Sequence, residues 1–169
     1  SVVVSLGRLR SINILVAGEV SAPGSYSVSA LTSILGAIHA AGGISSKGSY
    51  RDIRLSRQGK VIATLDLYSL LLDGVLTEDQ GLQNGDVVFV PLSGPRASVI
   101  GEVNRPLSFE LSENATFRQL LAMAGGLKVS ALYERALLQR RMLDKVLPSL
   151  ETLDLTNQKT LERRVYDGD

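Results

Sequence analysis

The sequence contains no cysteine, no tryptophan and one histidine, His39, among its 169 residues. Without cysteine there can be no disulfide, no thiolate metal ligand and no cysteine nucleophile, and the redox state of the compartment does not matter to the chain. A metal site would have to combine one imidazole with carboxylates, and a lone histidine has no placed nucleophile or orienting partner for a catalytic triad. We therefore expect no catalytic residue, no metal and no cofactor.

Aromatic residues and one-sided charge are also scarce. Phe, Trp and Tyr make up 5% of the chain, and the net charge is +1. Residues 11–92 carry 5 basic and 7 acidic groups, and residues 93–169 carry 11 and 10. Nucleic-acid binders need a basic surface with interleaved aromatics, so we expect no nucleic-acid partner. No apolar run approaches the roughly 18 residues of a membrane span, and the sequence predicts none in this chain.

What the chain does contain is an internal repeat with an offset of 83 residues. Val16 opens the stretch V-A-G-E-V-S-A-P-G, and Val99 opens V-I-G-E-V-N-R-P-L, in which a leucine replaces Gly24. The other positions that recur at this offset include Gly18 and Gly101, Glu19 and Glu102, Pro23 and Pro106, Gly42-Gly43 and Gly125-Gly126, Arg57 and Arg140, and Gly85-Asp86 and Gly168-Asp169. Such a repeat indicates a duplicated fold unit of about 80 residues.

The repeat predicts four segments. Residues 1–10 form a lead-in, 11–92 a first domain, 93–96 a linker and 97–169 a second domain. The first unit continues from Asp86 into the apolar run Val87–Val90, whose counterpart would follow Asp169, so we expect the second domain to be truncated before its last strand. Five extra residues around 145–150 should lie at a hairpin tip, where an insertion disturbs no core contact.

Hydrophobic periodicity predicts the elements of the first unit. An alternating strand runs from Ile12 and is broken near Gly18, where glycine permits a close backbone approach. Pro23-Gly24 suggests a type II turn with positive φ at Gly24. The run Val87–Val90 is typical of a strand buried on both faces.

A helix should begin after Ser29 as N-cap and end at Gly42-Gly43. Its apolar stripe at helical spacing comprises Leu31, Ile34, Leu35 and Ile38. A hairpin turning at Gln58-Gly59 follows, then a short helix over 67–72 capped by Asp66. Each unit is therefore predicted to be α+β, with one main helix packed across a small mixed sheet.

The ordered set of motifs resembles a known family. The pattern V-x-G-E-V-x-x-P-G-x-Y, a helix ending in A-G-G, an aspartate-leucine-tyrosine segment and L-x-x-G-D-V-V-F-V-P together are similar to the soluble-ligand-binding β-grasp (SLBB) domain of outer-membrane polysaccharide export proteins. The resemblance implies two tandem β-grasp domains without catalytic residues, in the periplasm. It also implies a homo-oligomeric ring as assembly, with a capsular or exopolysaccharide and an inner-membrane polysaccharide co-polymerase as partners. An alternative from another class is a receptor or sensor that binds a small ligand or an oligosaccharide.

Five residues around the first hairpin are candidates for contact with another subunit or with polysaccharide, namely Tyr50, Arg51, Arg54, Arg57 and Lys60. Basic residues also commonly guard an exposed strand edge, so both readings stay open. The repeated Glu19 and Glu102 are expected to accept hydrogen bonds from turn amides or to pair with an arginine. The repeated glycines, prolines and aspartate are expected to be structural, at turns and helix ends.

Overall fold

The computed structural model describes residues 10–76, 79–141 and 147–169, which form two compact units that divide between Ser93 and Gly94. The division falls inside the stretch 93–96 that the sequence suggests as a linker. Nearly all of the expected lead-in, residues 1–10, lies outside the described residues. Sheets and short helices alternate in both units, so the predicted α+β class is confirmed.

The first unit is built on a five-stranded mixed sheet. Its strands are β1 (Ser11–Gly18), β2 (Gly24–Ser29), β3 (Ile53–Arg57), β4 (Lys60–Leu65) and β5 (Val87–Val90). They are ordered β2-β1-β5-β3-β4. The central strand β5 is parallel to β1 and antiparallel to β3. Two helices, α1 (Ile34–Ala40) and α2 (Tyr68–Asp73), complete the unit.

The core lies between one face of this sheet and α1. Alternate residues of β1 are buried because successive side chains of a strand point to opposite faces. The cluster includes Val16 of β1, Val88 and Val90 of β5, and Ile34 of α1, each with no exposed side-chain area. The predicted packing of one main helix across the sheet is therefore observed.

Three local predictions for this unit are wrong. Helix α1 begins at Ile34 with Ser33 as its N-cap, because Ser29 pairs with Ser11 as the last residue of β2. Gly24 does not have a positive φ; it opens β2 opposite Val16. Strand β5 is buried on one face only, since the side chain of Phe89 is 37% exposed.

Other predictions hold. A Cβ atom on Gly18, whose φ is +85°, would clash with the carbonyl oxygen of Val90, which is the close approach the sequence suggested. Gly42 and Gly43 both have positive φ, and the amide of Gly43 donates to the carbonyl of Ile38 (2.9 Å), so they close the end of α1. The hairpin turns at Gln58-Gly59. The short helix begins one residue later than expected, and its N-cap is Leu67 rather than Asp66, whose carboxylate accepts the amide of Tyr68 (2.8 Å).

The second unit has strands β6 (Arg96–Ser98), β7 (Ser108–Glu110), β8 (Ala136–Arg140) and β9 (Ser149–Leu153). Its helices are α3 (Phe117–Met123) and α4 (Gln158–Leu161), with a short 3₁₀ turn at Tyr133–Arg135. Within the described part of this unit, β6 pairs with β7 and β8 pairs with β9, and no strand joins the two pairs. Of the insertion predicted around residues 145–150, residues 145 and 146 lie outside the described residues, and Ser149 and Leu150 belong to β9.

Candidate functional site

An arginine at the end of β3 binds an aspartate in front of β5. Nε of Arg57 donates to Oδ1 of Asp86 (2.8 Å) and Nη2 donates to Oδ2 (2.7 Å). The aspartate side chain is completely buried, and Oδ2 also accepts the amide of Gln83 (2.8 Å). Two parallel bonds to one carboxylate fix both its position and its orientation.

The same arrangement recurs 83 residues later. Nε of Arg140 donates to Oδ1 of Asp169 (2.7 Å), Nη2 donates to Oδ2 (2.5 Å), and the amide of Tyr166 donates to Oδ2 (2.9 Å). The backbone agrees as well, because the carbonyl of Asp86 accepts the amide of Leu15 and the carbonyl of Asp169 accepts the amide of Ser98, both at 2.9 Å. Each pair therefore belongs to the internal framework of its own unit.

The pairs shift the ionisation of their members in the direction that favours charge. Hydrogen bonds from Arg57 hold the pKa of Asp86 below its ordinary value, against the opposing effect of burial. The bonds to Asp86 raise the pKa of Arg57, and the bonds to Asp169 raise the pKa of Arg140. Asp86 is thus an ionised structural carboxylate at neutral pH.

The other basic candidates of the first hairpin also have partners within the unit. Nη1 of Arg51 donates to Oδ2 of Asp66 (3.0 Å), and its guanidinium lies 3.8 Å from the centre of the Tyr68 ring. Nε of Arg54 donates to Oδ1 of Asp52 (2.9 Å), which raises the pKa of Arg54. Both arginines, which the sequence suggests for intermolecular contact, are therefore already paired with carboxylates of their own unit.

Two candidates remain. Lys60 is exposed at the hairpin tip and has no ion-pair partner among the residues that the structure describes. Tyr50 is half-buried and packs against the core of the first unit. Contact of any of the five residues with another molecule remains a prediction.

The repeated glutamates are bound by serines. Oε2 of Glu19 accepts the hydroxyl of Ser45 (3.1 Å), and Oε2 of Glu102 accepts that of Ser130 (2.6 Å). Each glutamate therefore accepts a hydrogen bond from a serine hydroxyl rather than from the expected amide or arginine. Its role is still to make a local contact within its own unit. His39 lies exposed in the last turn of α1. Among residues 10–76, 79–141 and 147–169, no three His, Asp or Glu side chains come together as a group that could hold a metal.

Other motif residues lie at turns and loops of the two units. Pro23 and Pro106 are exposed between the first two strands of their units, and Gly85 and Gly101 have positive φ. No helix in the described part of the chain is both long and apolar enough to span a membrane.

The face of the first sheet opposite α1 carries apolar side chains. Leu15 and Ala17 of β1 lie next to Val87 and Phe89 of β5, and Arg54 of β3 lies beside Phe89. Leu15 is 41% exposed. We call these five residues the outer face.

A groove of about 810 Å³ lies in the second unit between the strand pairs β6-β7 and β8-β9. Its lining is largely apolar, with Val103, Phe117, Leu120, Leu138 and Leu153 contributed by both sides.

Neither ion pair is predicted from the sequence, although the sequence carries a signal for both. Arg57 and Arg140 recur at the same offset as Asp86 and Asp169. When opposite charges recur together in a duplicated unit, mutual pairing explains the recurrence of both. From the sequence alone, Arg57 is predicted in a surface cluster and Asp86 at a turn.

Comparison with known proteins gives matches in both units. Residues 13–90 match one model of the SLBB domain, and residues 96–144 match another. Two curated relatives, each a polysialic acid transport protein KpsD of Escherichia coli, are 34% identical over 119 residues, which is 68% of this chain and 21% of the relative. The chain therefore spans about a fifth of the length of the curated relatives it matches.

Proposed function

Because the chain belongs to the SLBB domain family, we propose that it is a structural and oligomerisation module of a polysaccharide export protein in the periplasm. In this proposal the two domains help to form the ring or vestibule through which capsular or exopolysaccharide passes. The observation that carries it is the 34% identity with polysialic acid transport proteins in a chain with two SLBB matches in tandem. Partners of the whole protein would be further copies of itself, the polysaccharide and an inner-membrane co-polymerase.

The contacts made by the repeated carboxylates support a non-enzymatic role. Glu19 and Glu102, the most evident candidates for acid-base catalysis, each bind a serine hydroxyl in their own unit. Asp86 and Asp169 are held by arginines. General acid-base catalysis needs titratable groups aimed at a shared reacting atom, and these carboxylates serve separate local structures.

We propose the outer face as a surface for subunit packing, with a second copy of the chain as its occupant. Leu15, Val87 and Phe89 offer adjacent apolar side chains on neighbouring strands, and Arg54 borders them. Aromatic residues and arginine are enriched at the centres of protein interfaces, where they supply most of the binding energy. An oligomeric exporter is the setting in which such a face would be covered.

Site-specific cross-linking tests this surface, because the chain has no cysteine of its own. In the full-length protein, with any cysteine outside these 169 residues replaced by serine, Phe89→Cys labelled with a benzophenone maleimide should give photo-cross-linked dimers, because the label captures whichever surface of a second copy covers the outer face. The matched control is His39→Cys, which places an exposed thiol on α1 at the other side of the sheet and should remain uncross-linked. Absence of cross-links at residue 89, or equal yield at both sites, would remove the outer face from the proposal.

Export itself tests the wider proposal. A strain that lacks the protein should regain surface polysaccharide with the full-length gene, and in-frame removal of either domain should abolish the gain. Native mass measurement of the full-length protein should show an oligomer. A strictly monomeric protein whose domains are dispensable for export would contradict the proposal.

The receptor alternative requires a polar binding pocket for an oligosaccharide. The groove of the second unit is lined mainly by leucine, valine and phenylalanine side chains, and sugars need convergent hydrogen-bond partners for their hydroxyl groups. This composition favours the structural role. Calorimetric titration with neutral and acidic oligosaccharides separates the two: a receptor pocket should give saturable heat that persists at high salt, whereas contact through exposed basic residues should be weak and lost at high salt.

A further inference from the structure

The turn that leads into β5 contains the only asparagine of the chain that is followed by glycine, Asn84-Gly85, and both residues are exposed. Asparagine is chemically labile because the next backbone nitrogen can attack its side-chain amide. Glycine has no Cβ to hinder that attack. The other asparagines, which precede larger residues, are Asn13, Asn104, Asn114 and Asn157. Asn84 is therefore the asparagine whose sequence most favours deamidation.

Asn13 of β1 holds both of the groups that would react. Its amide donates to Oδ1 of Asn84 (2.9 Å), and its carbonyl accepts the amide of Gly85 (2.8 Å). The second bond keeps the proton on the nitrogen of Gly85, and this proton must leave before the nitrogen can attack. The first bond directs the side chain of Asn84 towards β1. We call these two hydrogen bonds the Asn13 clamp.

The second unit has the same clamp with an aspartate in place of the asparagine. The amide of Arg96 donates to Oδ1 of Asp167 (2.7 Å), and its carbonyl accepts the amide of Gly168 (2.8 Å). These residues are the counterparts of Asn13, Asn84 and Gly85 at the offset of 83. Aspartate is also a product of asparagine deamidation. The second unit thus shows that a carboxylate at this position keeps the turn intact.

We propose that Asn84 is a deamidation site and that the Asn13 clamp blocks the reaction while the first unit is folded. When the clamp opens, the nitrogen of Gly85 forms a bond to Cγ of Asn84. The side-chain nitrogen leaves as ammonia, which takes up the proton lost by Gly85, and a succinimide ring remains. Water then opens the ring at either carbonyl and gives aspartate or isoaspartate.

The two products have different consequences for the first unit. Aspartate at position 84 can accept the amide of Asn13, as Asp167 accepts that of Arg96. Isoaspartate adds one carbon atom to the main chain before Gly85. The added atom displaces Gly85 from Asn13 and Asp86 from Leu15, whose amide donates to the carbonyl of Asp86 (2.9 Å). Only the isoaspartate form should therefore loosen the entry to β5.

The rate of deamidation tests the clamp. The full-length protein is incubated at neutral pH, folded or in guanidinium chloride, and then digested with trypsin. The tryptic peptide 61–96 has Asn84 as its only asparagine, and peptide 97–118, whose asparagines precede no glycine, is the internal reference. Deamidation of peptide 61–96 should be at least about tenfold slower in the folded protein, because it requires local opening. The reference peptide should stay unmodified in both samples.

Equal rates in the folded and the denatured protein would overturn the clamp. Absence of deamidation at Asn84 in denaturant would overturn the site itself. As a check on the chemistry, Asn84→Gln should abolish the reaction in denaturant, because its longer side chain disfavours ring closure.

Two matched variants test whether the aspartate product is tolerated. Asn84→Asp keeps an acceptor for the amide of Asn13 and should leave the midpoint of chemical denaturation at the wild-type value. Asn84→Ala removes the acceptor and should lower the midpoint. Equal losses in the two variants would contradict the comparison with Asp167.

The isoaspartate form, isolated by chromatography after incubation in denaturant and returned to native buffer, tests the last step. The amides of Leu15 and Gly85 should exchange with solvent faster than in the unmodified protein, because their hydrogen bonds to Asp86 and Asn13 are broken. Failure of this form alone to refold would support the same conclusion. Exchange rates equal to those of the unmodified protein would overturn the proposed effect of isoaspartate.

Discussion

Arg57 and Asp86 form a two-point ion pair that connects the end of β3 to the residue in front of β5. The bonds measure 2.8 and 2.7 Å, and the aspartate side chain is completely buried. The pair ties the basic hairpin to the central strand of the sheet, since β3 and β5 are antiparallel neighbours. A residue that the sequence offers for intermolecular contact therefore also has a role in folding.

We expect Arg57→Ala to lower the free energy of unfolding by about 3 kcal/mol, because it leaves the buried carboxylate of Asp86 without its charged partner. The loss in Arg57→Lys should lie between zero and the loss in Arg57→Ala, since lysine keeps the charge but cannot make two parallel bonds. Chemical denaturation measures both. Lys60→Ala, in the same hairpin, is the control and should change the value by less than about 0.5 kcal/mol. A loss in Arg57→Ala no larger than in the control would show that the pair contributes nothing.

Acid should weaken the first unit through Asp86. Its pKa is lowered in the folded state, so the folded form holds its proton less tightly than the unfolded form. The stabilisation is complete above the ordinary aspartate value of about 3.9 and is lost as the pH falls through the lower folded value. Unfolding curves from pH 6 to about pH 2 should therefore bring wild type and Asp86→Asn closer together in acid. A constant difference across that range would contradict the linkage.

The repeat made much of the fold predictable from the sequence. Gly18 predicts a close backbone approach, which the structure shows to be with Val90, and Gly42-Gly43 predicts the end of α1, because both signals act through local backbone geometry. The α+β class and the SLBB resemblance follow from the order of such signals, and both are confirmed. The order of such signals along the chain can be read directly from a single sequence.

Features that depend on how strands pair across the sheet are harder to predict from the sequence. The helix start moved from Ser29 to Ser33 because pairing with Ser11, 18 positions earlier, extends β2 through Ser29. The partner of Arg57 lies 29 residues away and depends on the register of β3 with β5. An apolar run such as Val87–Val90 indicates a central strand, but it does not reveal whether the unit covers both faces.

Replacement by alanine should lower the free energy of unfolding at Gly18 but not at Gly24. Gly18→Ala forces a φ of +85° on alanine and drives its Cβ into the carbonyl of Val90, and we expect a loss of about 3 kcal/mol in the free energy of unfolding. Gly24 has open space around it and no positive φ, so Gly24→Ala should stay within about 0.5 kcal/mol of wild type. Thermal and chemical unfolding of the two variants measure this contrast. Similar losses at both positions would show that the backbone between β1 and β2 is more restricted than the structure indicates.

Lys60 offers a separate test of the basic hairpin as a contact surface. It is exposed and unpaired within the described ranges, so Lys60→Gln removes a charge without disturbing a partner. We expect unchanged stability together with weaker retention on an immobilised acidic polysaccharide, most clearly at low ionic strength, where exposed charges are least screened. Lys159→Gln makes the same change at an exposed site of the second unit and should leave retention unchanged.

The comparison distinguishes a specific contact from general charge attraction. A specific contact at the hairpin predicts a loss with Lys60→Gln alone, whereas equal losses in both variants indicate that only net charge matters. If neither variant changes retention, and if oligomer size and export also stay at the wild-type level in the full-length protein, the hairpin has no intermolecular role. Arg51, Arg54 and Arg57 would then serve only their partners Asp66, Asp52 and Asp86.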